Sequence, residues 1–368
     1  MRITRIRIKN YSVFQAITSP SLGGLNVFTG PNGSGKSTFL DVLDFLHDAM
    51  VTNVAAAVQK RGGLSRLRTR KEEAEDIEIE LHMAVKQETS SSYDELIYLL
   101  KIGEEDNQIL VKQELLKQYS QLMNSDKVLL EVTDGLGKVA NKKDGLIETI
   151  LFELQERDKL CIGIVGEVRG YPAVNLLREL ITNWQLVDFK KDKVLDSSQL
   201  AIWSKMLQEQ QPATFEALVQ KMQTVIPALE TITVVETIDG RLVLQFKEGA
   251  FTAPFTMAYI GEGHLKFWAY LLLLHLPNPA PVMGIEAPEN NLHHSLLEML
   301  VDEFRAYTQR GGQLLMTSYA PSLIDNLRLE ELFRMSKEKG QSHIEAAKDD
   351  LVVQKGYEIG ESLGRLWN

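Results

Sequence analysis

Apolar and charged positions alternate at the start of the chain: residues 2–9 (RITRIRIK), with Ile3, Ile6 and Ile8 prominent, have the period of two that predicts a strand. Leu25 to Thr29 reads as a second strand, short and apolar. It runs into Gly30-Pro-Asn-Gly-Ser-Gly-Lys-Ser-Thr38, and the FLDVLDFLHDAM that follows spaces its apolar residues as a helix does. The order is strand, glycine-rich loop, helix. Residues 77–85 (IEIELHMAV) and 96–102 (LIYLLKI) predict a pair of strands around a Ser-rich turn at 90–92.

From about 105 to 230 the pattern changes to runs rich in Leu, Gln, Glu and Lys, among them Gln113 to Met123 and Ala213 to Val225, broken at Gly135, Gly137, Gly145 and Gly170. This predicts a mainly helical insertion, too short and too interrupted for a long coiled coil. Strand character returns at Thr231 to Glu236 and Arg241 to Phe246, joined by the hairpin turn Asp239-Gly240. Beyond them helix and strand alternate: a helix from about 263, an apolar strand at 282–285, a helix from about 293, a strand at 314–317 and a short helix at 321–327. That alternation is the mark of a parallel sheet with crossover helices.

Composition narrows the class. With 44% hydrophobic and 24% charged residues over 368 positions, the chain is globular, with roughly two domains or lobes, and neither disordered nor fibrous. Forty Lys plus Arg against 50 Asp plus Glu give a net charge of −10, which argues against coating nucleic acid by bulk charge and leaves only a local basic patch for such contact. The single cysteine, Cys161, excludes an intramolecular disulfide and a multi-cysteine zinc site, and reads as a small buried hydrophobe. The longest apolar stretch, Phe267 to Leu276, is about half the roughly 20 residues that cross a bilayer. The N-terminus lacks the continuous apolar core of a signal peptide, so the expected location is cytoplasmic, without a membrane partner.

The glycine-rich loop carries the chemistry. Gly30-x-x-x-x-Gly35-Lys36-Ser37 fits the P-loop pattern in full. Its glycines, Gly30, Gly33 and Gly35, with Pro31, Asn32 and Ser34 between them, let backbone N–H groups turn inward around phosphates, and the helix adds the positive end of its dipole. Lys36 would reach the terminal phosphates as a point charge, Ser37 would ligate Mg²⁺ through its hydroxyl, and Thr38 completes the motif. ATP and Mg²⁺ are the expected cofactors.

Asn-Gly-Ser-Gly-Lys-Ser-Thr preceded by Gly-Pro resembles the loop of the ABC-type ATPases of the RecF, RecN and SMC branch, and MRITRIRIKNYSVF resembles that branch's opening strand. The likeness covers about 1–102 and 230–368, and is strongest to the compact ATPases of the branch, in which a modest helical insertion replaces the long coiled coil. It implies an α/β fold: a P-loop NTPase head of ABC type with a mixed sheet, N-terminal antiparallel strands and a mainly helical insertion. Residues 1–104 would be the N-terminal part of the ATP-binding head, 105–230 the insertion, and 231–368 the C-terminal part with signature, Walker B and switch segments.

Three positions depart from the pattern that the resemblance implies. Val282-Met-Gly-Ile285 followed by Glu286 resembles Walker B, and Glu286 would hold the Mg²⁺ shell, but the next residue, the family's general base, is Ala287. Tyr259-Ile-Gly-Glu-Gly-His264 resembles the ABC signature, with Ile260, Gly261, Glu262 and Gly263 in its core, yet Gly261 stands where the family has a serine that touches the γ-phosphate of an opposed subunit. Met316-Thr-Ser-Tyr-Ala-Pro321 resembles the switch segment, with Tyr319 in place of histidine. Asn291-Leu292-His293 would be the D-loop, with His293 near the dimer interface, or else His293 is a polar helix-start residue.

Six cations between Lys60 and Lys71 (Lys60, Arg61, Arg66, Arg68, Arg70 and Lys71) form the local patch that could face DNA, or Arg61 could lean toward the nucleotide; balancing acids at Glu72, Glu73, Glu75 and Asp76 also suit a solvated loop. The reading implied is an ATP-binding switch with weak or no hydrolysis. It would use ATP-dependent dimerisation or closure, as a homodimer or a heteromeric complex, to engage DNA or a partner protein in DNA repair or antiviral defence. A competent DNA-dependent ATPase and the nucleotide-binding subunit of a transporter are the alternatives; the opening strand and Pro288-Glu289-Asn290 speak against the transporter.

Overall fold

The computed structural model describes residues 1–69, 75–86, 93–120, 125–143, 146–166, 171–187 and 197–367. The expected opening strand is β1 (Arg2–Tyr11), with Ile3, Ile6 and Ile8 fully buried, and it turns through Ser12 into β2 (Phe14–Thr18). β3 (Leu25–Thr29) is buried at every position and delivers the glycine-rich loop to α1 (Lys36–Val51). Two short helices follow, α2 (Val54–Lys60) and α3 (Leu64–Leu67). Six strands come next: β4 (Ile77–Lys86), β5 (Tyr93–Glu105), β6 (Gln108–Ser120), β7 (Ser125–Thr133), β8 (Leu136–Lys143) and β9 (Leu146–Glu153). The Ser-rich turn expected at 90–92 lies outside the described residues.

Helices then dominate: α4 (Cys161–Val165), α5 (Pro172–Asn183), the short strand β10 (Gln185–Val187), α6 (Ser197–Gln210) and α7 (Pro212–Val225). The hairpin expected around Asp239-Gly240 is β11 (Leu229–Glu236) and β12 (Leu242–Glu248), with β13 (Phe255–Thr256) added at its side. The C-terminal part runs α8 (Glu262–His275), β14 (Val282–Glu286), α9 (Leu297–Gln309), β15 (Gln313–Thr317), α10 (Pro321–Ile324), β16 (Leu332–Glu338), β17 (Gln341–Ala346), α11 (Leu351–Glu358) and α12 (Leu363–Leu366).

Among the described residues the strands form an antiparallel sheet in the order β2-β1-β4-β5-β6-β7-β8-β9, a second sheet in the order β10-β14-β15-β3-β16-β17, and the small sheet β11-β12-β13. The second sheet is parallel except for β17, as the alternation of helix and strand foretells. Its two faces feed two cores. Phe28, Val282, Leu315 and Phe333 pack with α1 and the antiparallel sheet, whereas Val27, Met283, Ile285, Leu314 and Met316 pack with α6 to α9. A strand buried on both sides reads as a continuous apolar run, which is why β3, β14 and β15 stand out in the sequence.

Helix α1 is sandwiched between the sheets, and Phe28 at the end of β3 packs between Phe39 (ring centroids 4.9 Å apart) and Phe333 (5.3 Å). Burial of this kind holds the start of the glycine-rich loop in place; truncating such a phenylalanine costs about 3–5 kcal/mol. Gln313 fastens the two sheets together: its Oε1 accepts from the Ile3 N–H (2.9 Å), and its Nε2 donates to the carbonyls of Ile3 (2.7 Å) and Gly23 (2.9 Å). The N-terminal and C-terminal parts therefore build one head, because β3 lies between β15 and β16.

The expected fold class holds, with one correction inside it. Residues 105–230 are not mainly helical: among the described residues β6 to β9 lie between 108 and 153, and α4 to α7 with the short strand β10 lie between 161 and 225. The run Gln113 to Met123, expected as helix, is strand through Ser120, with 121–124 outside the described residues. Leu, Gln, Glu and Lys favour helix only weakly, and pairing with β5 on one side and β7 on the other outweighs that preference. Glu114 shows what tertiary structure added. It sits fully buried on β6, its carboxylate accepts the N–H groups of Cys161 (2.5 Å) and Ile162 (3.0 Å) at the start of α4, and Tyr98 donates to it (3.2 Å). Burial pushes its carboxyl up to about 7 against the pull of those donors. Cys161 is fully buried, and burial pushes its thiol up, as its reading as a small hydrophobe requires. The apolar stretch Phe267 to Leu276 is the buried body of α8 and its C-terminal cap; among the described residues no helix is long and apolar enough to cross a membrane.

Candidate functional site

The loop between β3 and α1 is built on close backbone approaches. Gly30 has φ 136°, and a Cβ there would lie 2.0 Å from the Met335 carbonyl oxygen on β16. Gly35 has φ 109°, and a Cβ there would meet the Phe14 ring at 2.5 Å. Only glycine fits either position, and the loop is thereby braced from both sheets. Gly35 caps α1 with no side-chain hydrogen bond, so the N–H groups of the first turn face the loop.

Lys36 is buried. Its ammonium donates to the carbonyls of Gly30 (2.7 Å) and Pro31 (2.9 Å), with Ser34 Oγ at 3.5 Å, and lies 4.3 Å from the centroid of the Tyr319 ring. Burial lowers its pKa from the ordinary lysine value. Ser37 and Thr38 line a cavity of about 600 Å³ together with Glu286, Asp41 and Arg61. A hydroxyl and a carboxylate in one polar cavity are the hard oxygen donors that suit Mg²⁺, and a buried lysine among freed amides suits a polyphosphate. These residues fit the two expected cofactors.

Glu286 ends β14 in register with Thr317 on β15. Ala287 follows with φ 43°, its N–H donating to the Thr317 carbonyl (3.0 Å) and lying 3.3 Å from Thr317 Oγ1. The backbone is held firmly, but a methyl group offers no proton acceptor. Glu289 is the nearest acid beyond it: its Oε1 accepts from Ser318 Oγ (3.0 Å) and from the Tyr319 N–H (2.8 Å), while its Oε2 is buried with no hydrogen-bond partner. The Tyr319 hydroxyl has its pKa raised, first by burial and then by the charges of Glu286 and Glu289, so it stays protonated.

The segment resembling the signature sits elsewhere. Gly261 caps α8, and Ile260 to Gly263 do not line the cavity. They are tied instead to the turn after β14: Asn291 Nδ2 donates to Glu262 Oε1 (2.9 Å), Lys266 Nζ donates to the Asn290 carbonyl (2.6 Å), and a Cβ on Gly263 would lie 2.8 Å from the Asn291 carbonyl oxygen. His293 caps the short turn 294–296, its Nδ1 2.8 Å from Ser295 Oγ, the arrangement of a polar helix-start residue.

Three cations of the basic patch are paired with acids, and Arg66 lines the same cavity as Ser37 and Glu286. Arg61 reaches three aspartates along one face of α1, Asp41 (2.9 Å), Asp44 (2.8 Å) and Asp48 (2.8 Å). Burial opposes its charge, and the hydrogen bonds and charge of Asp41 more than offset that, raising its pKa further. Lys60 pairs with Asp48 (2.8 Å) and Asp44 (3.5 Å), and Arg68 lies near Glu104 (3.6 Å) and Asp76 (3.9 Å). Arg70 and Lys71 lie outside the described residues. Sequence reasoning missed the Asp41, Asp44, Asp48 stripe; acids three and four apart on a helix, next to a pair of cations, were the signal.

A sequence profile for the family described as "AAA domain, putative AbiEii toxin, Type IV TA system" matches residues 25–122 and 169–325, well over half of the chain. The chain belongs to this AAA-domain family. The matched residues include the P-loop, the signature-like segment, Glu286 and the switch segment. Membership in an AAA-domain family implies nucleotide binding. None of the curated proteins compared with the chain matches it. Among solved structures, an SMC head bound to the C-terminal winged-helix domain of ScpA aligns over 94% of this chain and 97% of its own, at 13% identity and a TM-score of 0.55, so the AAA-domain chain has the fold of an SMC-type ABC head. The SMC head domain of Thermotoga maritima matches over 94% and 99% of the two chains at 11% identity and a TM-score of 0.44. A Pyrococcus furiosus Smc head with an extended coiled coil, bound to the C-terminal domain of ScpA, matches over 97% and 98% at 13% identity and a TM-score of 0.49.

Proposed function

We propose that this chain is an ATP-binding switch that hydrolyses ATP weakly or not at all. Gly30 to Thr38 would cradle the phosphates, Lys36 would neutralise the terminal ones, and Ser37 and Glu286 would hold Mg²⁺, whose charge would offset that of the phosphates. The observation that carries the reading is at Ala287: the backbone that should present a general base is fixed against Thr317, and the side chain is a methyl. Losing a general base typically costs about 10²–10⁴ in rate.

The output in this reading is a state of assembly. Residues 1–104 and 231–368 supply the head together with β10, α6 and α7, which join or cover its parallel sheet, the rest of 105–230 being the part that meets a partner, and the cytoplasm is its setting. The exposed N-terminus of α8, with free amides and Gly261, would close over the nucleotide of a second copy or of a related subunit. Pairing of Lys60, Arg61 and Arg68 with acids speaks for a protein partner over DNA, and two of the similar SMC heads are themselves bound to ScpA domains. Roles in DNA repair and antiviral defence belong to the same reading.

Steady-state phosphate release and molar mass with and without ATP and Mg²⁺, repeated with DNA, test it. The expected result is slow turnover with an ATP-dependent rise in mass. Turnover of about one per second or faster would identify a competent ATPase instead.

A further inference from the structure

We propose that Tyr319 is a lid on the nucleotide site, its ring covering the Lys36 ammonium until the terminal phosphates of an incoming nucleotide displace it. The proposal rests on the reading of Gly30 to Thr38 as a phosphate cradle. Lys36 points its ammonium at two loop carbonyls and Ser34, and the ring face, 4.3 Å away, covers a further side. A phosphate and an aromatic face compete for one cation, and in a buried setting the face is a substantial partner.

The ring is placed by its backbone. Glu289 Oε1 takes both the Tyr319 N–H and the Ser318 hydroxyl, the Ser318 N–H donates to the Phe28 carbonyl (3.1 Å) at the end of β3, and the Ala320 N–H donates to Ser318 Oγ (3.2 Å). The segment is thus strung between the strand that precedes the loop and the turn that follows Glu286. The ring itself is 47% exposed, so it has open solvent to swing into while these backbone bonds persist. Two residues further on α10 begins, and Asp325 at its end accepts from the Gly364 N–H (2.7 Å) and the Ser362 hydroxyl at α12. Displacement of the ring is therefore positioned to be felt at the C-terminal helices.

Stopped-flow association of a fluorescent N-methylanthraniloyl ATP with Mg²⁺ tests the lid. Tyr319→Leu removes the π face and keeps an apolar side chain; it should speed association about 3–30-fold, the range that a cation–π contact spans. Tyr319→Phe keeps the face and should match the parent chain within about twofold. Glu289→Ala, which frees the segment without altering the ring, should shift association in the same direction as Tyr319→Leu. Equal rates in all four proteins overturn the lid. Slower or weaker binding in both Tyr319 variants overturns it in favour of a hydroxyl that contacts phosphate. Binding that survives Lys36→Ala, or no binding in any protein, overturns the cradle reading itself and the lid with it.

Discussion

The rim of the parallel sheet has two halves that have fared differently. On the β3 side, Gly30 to Thr38 retain every group that a phosphate cradle needs: left-handed glycines, freed amides and a buried ammonium. On the β14 and β15 side, the backbone is equally well held, with Glu286 opposite Thr317 and Glu289 clasping Ser318 and Tyr319, yet Ala287 and Tyr319 stand where the resemblance implies a general base and a histidine. Binding a phosphate draws on many backbone N–H groups and one cation, so it tolerates drift around it. Proton transfer needs one acceptor at one place, so a single change removes it while leaving the architecture intact.

The sharpest break in this contrast would come from Lys36→Ala. It should weaken ATP binding by about 100-fold, given that hydrogen bonds to charged groups contribute about 1.5–3 kcal/mol, with folding intact by circular dichroism; calorimetric titration checks it. Chelating Mg²⁺ should cost roughly tenfold in affinity, and Ser37→Ala with Glu286→Gln should make binding indifferent to the chelator, which titration in EDTA will show. Restoring the acid tests the other half: Ala287→Glu should raise turnover less than about tenfold, far below the 10²–10⁴ of a working base, because Gly261 and Tyr319 remain. Recovery in that larger range, measured by phosphate release, would show that the two halves differ by one residue only.

Two smaller effects sharpen the comparison. Burial lowers the pKa of Lys36, so its positive charge fades at a lower pH than that of an exposed lysine, near 10.4. ATP affinity should therefore decline severalfold as pH rises toward 10, beginning below the usual lysine range, and a titration series across alkaline pH will reveal it. Ala287 holds φ 43°, where glycine rests without strain, so Ala287→Gly should stabilise the fold by about 0.5–1 kcal/mol, read as a rise of a few degrees in melting temperature, with no change in nucleotide affinity.

Legibility along the chain followed the same division between local and distant causes. β3, α1, β14, α8, α9 and β15 announce themselves because each carries its own period or a doubly buried apolar run. β6 does not: its Glu114 and Gln113 look like the polar face of a helix, and the reason for a buried acid there, two N–H groups at the start of α4, lies 47 and 48 residues further on. β2, β16, β17, α11 and α12 carry weak patterns and are fixed by what they pack against. At the site, the order of strand, glycine-rich loop and helix was readable, whereas the ring over Lys36, the clasp of Glu289 and the three aspartates around Arg61 were not.

Sequence by itself determined the strand, the glycine-rich loop and the helix at 25–51, because these are properties of residue type and short spacing; that Ala287 and Gly261 stand where an acceptor and a hydroxyl are expected is what the family resemblance implies. Tertiary structure alone decided that Glu289 is engaged, that Arg61 is answered by α1 and that Tyr319 lies on Lys36. Those partners are brought together by β3 taking its place between β15 and β16, and no local pattern encodes a contact between residues 283 positions apart.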